Sequence, residues 1–181
     1  MRVFIGIQFS SALKDDLEDY QAKLADWSEK GRLTRKENFH LTLCFIGEIS
    51  ETDYVQLFKQ LSEKLAKTDR FSLLGGECGY FIKKNRYIPW VGVLSTADLL
   101  AVFKKVEAVI KEMGLAVEDR PYTPHVTMAR QVVLLDEEKW CHQPVAFNEC
   151  VSQVTLFQSH QVDGQLAYTP LNHILLNKQK S

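Results

Sequence analysis

The chain has 181 residues, of which 45% are apolar and 25% charged, values typical of a globular protein with one hydrophobic core. Its 22 basic and 23 acidic residues give a net charge of −1. This balance argues against broad electrostatic binding of duplex nucleic acid, which needs many phosphate-neutralising cations, but is compatible with a small or terminal phosphate ligand. We expect residues 1–181 to form a single domain.

The cysteines and the apolar runs bear on the cellular compartment. The four cysteines form no Cys-x-x-Cys pair and no zinc-like spacing. The apolar run at the amino terminus is too short for a secretion signal, and no stretch has the length of a membrane span. These features predict a protein of the reducing cytoplasm with no membrane association, and we expect a monomer.

The first half of the chain predicts two strand–helix units. In chain order, the predicted elements are a strand at residues 3–9, a helix capped by Ser10 or Ser11 and ended by Gly31, strands at residues 32–35 and 40–46, and a helix beginning at residues 50–53. Gly47 is expected to form the turn after the strand at residues 40–46.

The second half of the chain predicts more strands than helices. Its predicted elements are a strand-like segment at residues 71–81 broken by glycines, a strand at 87–94, a helix after Thr96 ended by Gly114, a strand at 125–129, a short helix near 136–140, and strands at 151–159 and 166–176 joined by an Asp163–Gly164 turn. Pro89 favours an edge position or a bulge for the strand at 87–94. The pattern as a whole is α+β, with antiparallel strands and helices packed outside.

Two similar motifs carry the strongest functional signal. Phe39–Leu43 and Pro124–Met128 each contain a histidine followed two residues later by a threonine, inside an otherwise apolar run. In a strand, residues i and i+2 point to the same face, so each histidine and its threonine lie side by side. The repetition favours two half-sites whose strands face each other across a groove.

A pair of histidines suits proton transfer at phosphorus. Histidine titrates near neutrality, so one imidazole can accept a proton from water while the other protonates the leaving oxygen. Because in-line displacement places these two oxygens on opposite sides of phosphorus, His40 and His125 would come from opposite walls. The hydroxyls of Thr42 and Thr127 would bind the phosphoryl oxygens. This chemistry needs no metal and no cofactor.

Other residues around these motifs are candidates of lower weight. Arg130 could bind the same phosphate or a nearby carboxylate. Tyr122, in a proline-flanked turn before the second histidine, is the aromatic residue best placed to stack on a nucleobase. The remaining histidines, His142, His160 and His173, have no such motif and are expected to be surface or structural residues. A metal site made of His40 and His125 would lack a third ligand.

At these residues the chain resembles the 2H phosphoesterase superfamily, and in particular its LigT-like branch of RNA 2′,3′-cyclic phosphodiesterases, formerly called 2′-5′ RNA ligases. The similarity runs along nearly the whole chain. Besides the two histidine motifs, it includes the segments at residues 2–7, 45–48, 90–93, 156–159 and 168–171. Pro89 departs from the family pattern, in which an apolar strand residue is more usual.

The resemblance implies a fold and roles for individual residues. The fold would be bilobal and pseudo-symmetric, with two interleaved lobes and two antiparallel sheets facing a central groove. His40 would act as general acid on the ribose 3′ oxygen and His125 as general base on water. Thr42, Thr127 and Arg130 would hold the phosphate, and the product would be a 2′-phosphate. The expected partners are RNA ends or nucleotides that carry a cyclic phosphate.

Two alternatives remain open at this point. One is a phosphodiesterase or reversible ligase that acts on 2′-5′ RNA linkages or on the cyclic phosphate of an ADP-ribose derivative, because the motifs contact only a phosphate and its ribose. The other is a non-catalytic protein that binds RNA ends.

Overall fold

The computed structural model describes residues 1–178. Its helices span Ser11–Trp27 (α1), Glu51–Leu65 (α2), Ala97–Glu112 (α3) and Glu137–Trp140 (α4). Its strands span Arg2–Gln8 (β1), Ser28–Glu29 (β2), Arg32–Leu33 (β3), His40–Glu48 (β4), Phe71–Lys83 (β5), Arg86–Val93 (β6), His125–Thr127 (β7), Ala129–Arg130 (β8), Val133–Leu134 (β9), Asn148–Val151 (β10), Gln153–Val162 (β11) and Gln165–Leu175 (β12). Among residues 1–178, none of the helices combines the length and the apolarity that a membrane crossing requires.

Two four-stranded antiparallel sheets form the framework. The first sheet has the order β12-β11-β1-β4 and the second has the order β10-β5-β6-β7. The two sheets are interleaved in sequence, since β10 joins the second sheet before β11 and β12 return to the first. Strands β4 and β7 are the edges of their respective sheets, and they contact each other. The predicted α+β fold, with two antiparallel sheets and a groove between them, is confirmed.

The long helices begin where the sequence predicts and cover the sheets with their apolar faces. Ser10, Ser50 and Thr96 each cap a helix by accepting a hydrogen bond from the backbone N–H three residues later. Helix α3 packs on β4 and β5, and α2 packs on α3 and β12. Their fully buried leucines and valines join the strands in one continuous core.

The structure corrects the prediction that Gly47 forms a turn. Strand β4 continues to Glu48, and Gly47 lies inside it with a φ of 85°. The pairing with β1 moves from Val3–Gly47 to Phe4–Phe45, so that Ile46 is an additional residue on β4. Such a β-bulge needs a left-handed residue, which glycine supplies without steric cost.

The structure also corrects the interpretation of Pro89. Strand β6 is an interior strand, paired with β5 on one side and β7 on the other, and Pro89 pairs in register with Tyr80. The Pro89 carbonyl accepts a 2.9 Å bond from the Met128 N–H, but proline has no N–H to return. The Met128 carbonyl instead accepts from the Thr34 N–H and the Gln21 side chain, each at 2.9 Å. The interior proline is therefore tolerated, because Thr34 and Gln21 donate to the Met128 carbonyl in place of the N–H that proline lacks.

Three other strand predictions were inaccurate in their bounds. The glycine-containing segment forms one continuous strand, β5, with a register shift between Gly75 and Cys78 rather than a break. The strand predicted at residues 151–159 is divided between two sheets, because Val151 ends β10 and Gln153 begins β11. The strand predicted around residues 32–35 is reduced to Arg32–Leu33.

Candidate active site

The two histidine strands place both motifs around one cavity. Its volume is about 520 Å³, and it opens where β4 of the first sheet meets β7 of the second. Five of the residues proposed from the sequence line it: His40, Thr42, His125, Thr127 and Arg130. The alternation of side chains along each strand brings the threonine to the same face as its histidine, while the residues between them, Leu41 and Val126, are buried in the core.

Backbone carbonyls hold both imidazoles in a defined orientation. The Nδ1 atom of His40 lies 2.7 Å from the Asn38 carbonyl, and that of His125 lies 2.6 Å from the Thr123 carbonyl. Because a carbonyl only accepts, Nδ1 is the protonated donor in each ring, and Nε2 carries the lone pair of the neutral form. The two half-sites thus use the same device, a carbonyl two residues before the histidine.

The two half-sites differ in how the threonine meets its histidine. The Nε2 atom of His40 lies 2.8 Å from the Thr42 hydroxyl, which donates to the neutral ring. Within the part of the chain that the structure describes, neither Nε2 of His125 nor the hydroxyl of Thr127 has a hydrogen-bond partner. His125 is therefore the imidazole whose lone pair is open to a water molecule or a ligand.

Aromatic rings pack against both imidazoles, three on His40, where Phe157 is the most distant at 5.9 Å, and two on His125. His40 lies between Phe4, with ring centroids 4.8 Å apart, and Tyr168, which contacts it edge-on at 4.9 Å. His125 contacts Phe81 edge-on at 4.9 Å and Trp90 at 6.0 Å. The rings exclude water from one side of each imidazole and restrict its rotation, which fixes the direction of Nε2.

Burial shifts both histidines toward their neutral form. Burial lowers the pKa of His40 from 6.5 to about 4, and positive charge at His125 and Arg130 acts in the same direction. Burial likewise lowers the pKa of His125, assisted by the charges of Arg130 and Arg120. Both rings are therefore neutral near pH 7, and an anion in the cavity would favour their protonated forms.

The shift at His40 predicts a pH dependence of stability. In the unfolded chain His40 binds a proton near pH 6.5, but in the folded chain only near pH 4. Between these values the unfolded state binds more protons, so the free energy of unfolding should fall as the pH falls from 6.5 to 4, by about 3 kcal/mol in all. Urea unfolding of the wild type and of His40→Gln between pH 7 and 4.5 measures this contribution. The variant should lose less stability on acidification, and equal losses in both proteins would contradict the burial of His40.

Arg130 lines the cavity together with both histidines, and its positive charge lowers the pKa of each. It lies on β8 in register with Arg32 of β3 and is exposed. Among residues 1–178 it forms no ion pair with a carboxylate, and phosphate binding by Arg130 stays a prediction. Its guanidinium lines the cavity and can donate to an anion held between the histidines.

Tyr122 lies outside this cavity. Its ring stacks on Phe103 of α3 with centroids 4.1 Å apart, and its hydroxyl donates a 2.8 Å bond to the Thr42 carbonyl. It lines an adjoining cavity of about 430 Å³ instead. These contacts connect α3 to the Thr42 backbone, and they occupy one face of the ring that base stacking would need. Base stacking by Tyr122 stays a prediction that its contacts do not favour.

The cavity also contains residues that the sequence reasoning did not single out as site residues. Tyr168 packs against His40, and His160, expected to be a surface or structural residue, lines the same cavity with its Nε2 bonded to Thr169 at 2.6 Å. Both come from the β11–β12 hairpin; Tyr168 begins the segment at residues 168–171 that is similar to the family, whereas no local motif marks His160. Within residues 1–178, no group of three or more histidine, cysteine, aspartate or glutamate side chains is arranged to hold a metal ion.

Comparisons with known proteins agree with this geometry. The family model described as LigT like Phosphoesterase matches residues 7–90, which include the first histidine motif. A curated relative from Thermotoga maritima, named RNA 2′,3′-cyclic phosphodiesterase, is 28% identical over 141 residues, covering 77% of this chain and 74% of its own. A relative of the same name from Escherichia coli is 24% identical over 180 residues, covering 98% and 97%.

Solved structures share the fold along nearly the whole chain. The crystal structure of E. coli LigT in apo form has a TM-score of 0.81 at 24% identity, covering 97% of this chain and 96% of that one. The same protein complexed with 3′-AMP has a TM-score of 0.80 at 24% identity, with 97% of each chain covered. The solved structures show the fold that this chain shares with LigT. The matching family model and the curated relatives support the 2H phosphoesterase family, in its LigT-like branch, and a hydrolase activity.

Proposed function

We propose that this protein hydrolyses a 2′,3′-cyclic phosphate, at the end of an RNA or on a nucleoside, to a 2′-phosphomonoester without a metal ion. The observation that carries the proposal is the convergence of two oriented imidazoles, two threonines and one arginine on a single cavity. The names of the curated relatives, and the 3′-AMP bound by the E. coli protein, support a nucleotide substrate.

The proposed reaction begins with proton transfer from water to Nε2 of His125. The water oxygen forms a bond to phosphorus while the bond from phosphorus to the ribose 3′ oxygen breaks, and Nε2 of His40 protonates that departing oxygen. The products are a 2′-phosphomonoester and a 3′-hydroxyl. The assignment of the base to His125 is supported by its Nε2, which has no partner within residues 1–178.

A general acid at His40 requires a proton that the free protein lacks near pH 7, because the pKa of the buried ring is about 4. Binding of the substrate can cause His40 to be protonated. A phosphodiester anion against the ring stabilises the imidazolium and raises the pKa of His40 in the complex. Thr42, Thr127 and Arg130 would hold the non-bridging oxygens, whose negative charge grows in the transition state.

The test uses RNA that ends in a 2′,3′-cyclic phosphate, incubated with the protein in the presence of a chelator. The expected product is RNA with a 2′-phosphomonoester, distinguished from the 3′ isomer by chromatography against both standards. Absence of turnover, or turnover that appears only after a divalent metal is added, would contradict the proposal. A 3′-phosphate product would instead show that the ribose 2′ oxygen, and not the 3′ oxygen, is the leaving group.

A second candidate within the same chemistry is cleavage or ligation of a 2′-5′ RNA linkage, or opening of a cyclic phosphate on an ADP-ribose derivative. The proposed contacts reach only one phosphate and the adjacent ribose oxygens, so these substrates are tested beside the RNA end. If the protein only binds RNA ends, the wild type and the double variant His40→Ala/His125→Ala should bind cyclic-phosphate RNA equally well, and neither should hydrolyse it.

We also propose that residues 1–181 act as a single domain and as a monomer in the cytoplasm. One continuous core joins both sheets and the long helices, which supports the single domain. The cytoplasmic assignment is supported by the four free cysteines. Size-exclusion chromatography with light scattering checks the monomer.

A further inference from the structure

A second groove, with a volume of about 540 Å³, lies beside the catalytic cavity and is strongly basic. Six cationic side chains line it: Lys30, Arg32, Lys83, Lys84, Arg86 and Arg130. No acidic and no aromatic residue is part of this lining. We call it the basic groove.

Three turns from distant parts of the sequence build the basic groove. Lys30 lies between β2 and β3, Lys84 lies between β5 and β6, and Gln131 follows β8, each with a left-handed φ of 50° to 58°. The turns are tied together by backbone pairing. Arg32 pairs with Arg130, and Tyr87 and Val132 exchange two N–H···O bonds of 2.8 and 3.0 Å. The cations are therefore presented by a connected backbone framework.

The charges of the basic groove are not neutralised by the protein. Within residues 1–178, none of its six cations forms an ion pair, whereas cations elsewhere do, such as Lys36 with Asp15 and Arg120 with Glu118. The whole chain has a net charge of only −1, so this is a local concentration of positive charge. Like charges brought together repel one another, and a bound polyanion would relieve that repulsion.

The basic groove adjoins the catalytic cavity at Arg130, which lines both. In an RNA that ends in a 2′,3′-cyclic phosphate, every other phosphate lies on the 5′ side of the terminal nucleotide. With the cyclic phosphate in the cavity, an RNA chain that left it past Arg130 on the side of Arg32 and Arg86 would enter the groove. Since the lining offers cations and no aromatic ring, it suits contact with phosphates rather than with bases.

We propose that the basic groove binds the phosphodiester backbone on the 5′ side of the terminal nucleotide, so that the protein prefers oligoribonucleotides to mononucleotides. The preference is independent of base sequence. This inference rests on the proposed function for its catalytic readout, but it also predicts binding that can be measured without turnover.

The experiment compares the wild type with the triple variant Lys30→Gln/Lys84→Gln/Arg86→Gln, which leaves Arg130 intact. A matched control, Lys59→Gln/Lys67→Gln/Lys104→Gln, removes the same charge from exposed sites outside both the cavity and the groove. Each protein is assayed with a nucleoside 2′,3′-cyclic phosphate and with a ten-nucleotide RNA of the same terminal base. For the groove variant we expect kcat/KM to fall on the order of tenfold for the RNA at low salt and to change less than about twofold for the nucleoside.

Binding of the same RNA ending in a 2′-phosphate, followed by fluorescence anisotropy, gives a readout without catalysis. The slope of log Kd against log salt should decrease by about 2 in the groove variant, since single strands contribute about 0.7 per contact, and should change less in the control. If the wild type hydrolyses neither substrate, the proposed function fails and this measurement still decides the groove. The inference would be overturned if the groove variant lost equal activity on RNA and nucleoside, if the control variant showed equal effects, or if RNA binding by the groove variant were unchanged. It would also be overturned if the groove variant lost binding to anionic lipid vesicles while its RNA binding stayed intact.

Discussion

Replacing His40 or His125 with alanine is expected to lower kcat for cyclic-phosphate hydrolysis by about 10²–10⁴-fold, because each change removes one of the two proton transfers. The double variant should be only slightly slower than either single variant, since groups that act in one step are not additive. Both rings are half-buried beside aromatic residues in a formed cavity, so the losses should appear in kcat more than in KM. Steady-state kinetics on a cyclic-phosphate substrate measures them.

The roles of the two histidines can be separated by the leaving group. A 3′-deoxynucleoside 2′-(4-nitrophenyl phosphate) expels a stable phenolate that needs little protonation. With it, His40→Ala should lose far less activity than His125→Ala, because only the base is still required. Equal losses on this substrate would contradict the assignment of acid and base. His142→Ala, at an exposed histidine paired with Glu77, serves as the matched control and should retain full activity.

Replacing Trp140 with alanine is expected to destabilise the fold by about 3–5 kcal/mol, the range for truncating a buried aromatic residue. The Trp140 side chain is fully buried, and its indole N–H donates a 2.7 Å bond to the Gly79 carbonyl. Truncation leaves a cavity and an unsatisfied buried carbonyl. Gly79 pairs with Trp90, which packs against His125, so the loss should also loosen the second half-site.

Urea unfolding measured by circular dichroism tests this expectation. Because the total stability of such a domain is about 5–15 kcal/mol, the alanine variant could unfold altogether, and Trp140→Phe keeps the test decisive. The phenylalanine retains most of the ring but loses the hydrogen bond, so its loss should be intermediate. Trp27→Ala, at a partly exposed tryptophan at the end of α1, should cost less than Trp140→Ala. A similar loss at both positions would show that burial of Trp140 is not the cause.

Local patterns were sufficient for most elements of this fold. The helix starts at Ser10, Ser50 and Thr96 follow from capping chemistry and an apolar period near four residues, both of which act within one or two turns. The same-face placement of His40 with Thr42 follows from the two-residue period of a strand. The errors at Gly47 and Pro89 arose where a residue that is unfavourable locally is accommodated by a bulge or by a substitute hydrogen-bond donor from elsewhere in the chain.

What the sequence by itself determined is the chemistry available: two imidazoles, each beside a hydroxyl, with an arginine close to the second. Only the tertiary structure decided that β4 and β7 are neighbouring edges of two sheets, so that both histidines meet at one cavity. It also decided how far burial lowers the pKa of His40, which rings pack on each imidazole, and that three separate turns gather unpaired cations into the basic groove. The reason is physical. Periodicity and capping act over a few residues, whereas strand order, burial and charge density depend on contacts between segments far apart in the chain.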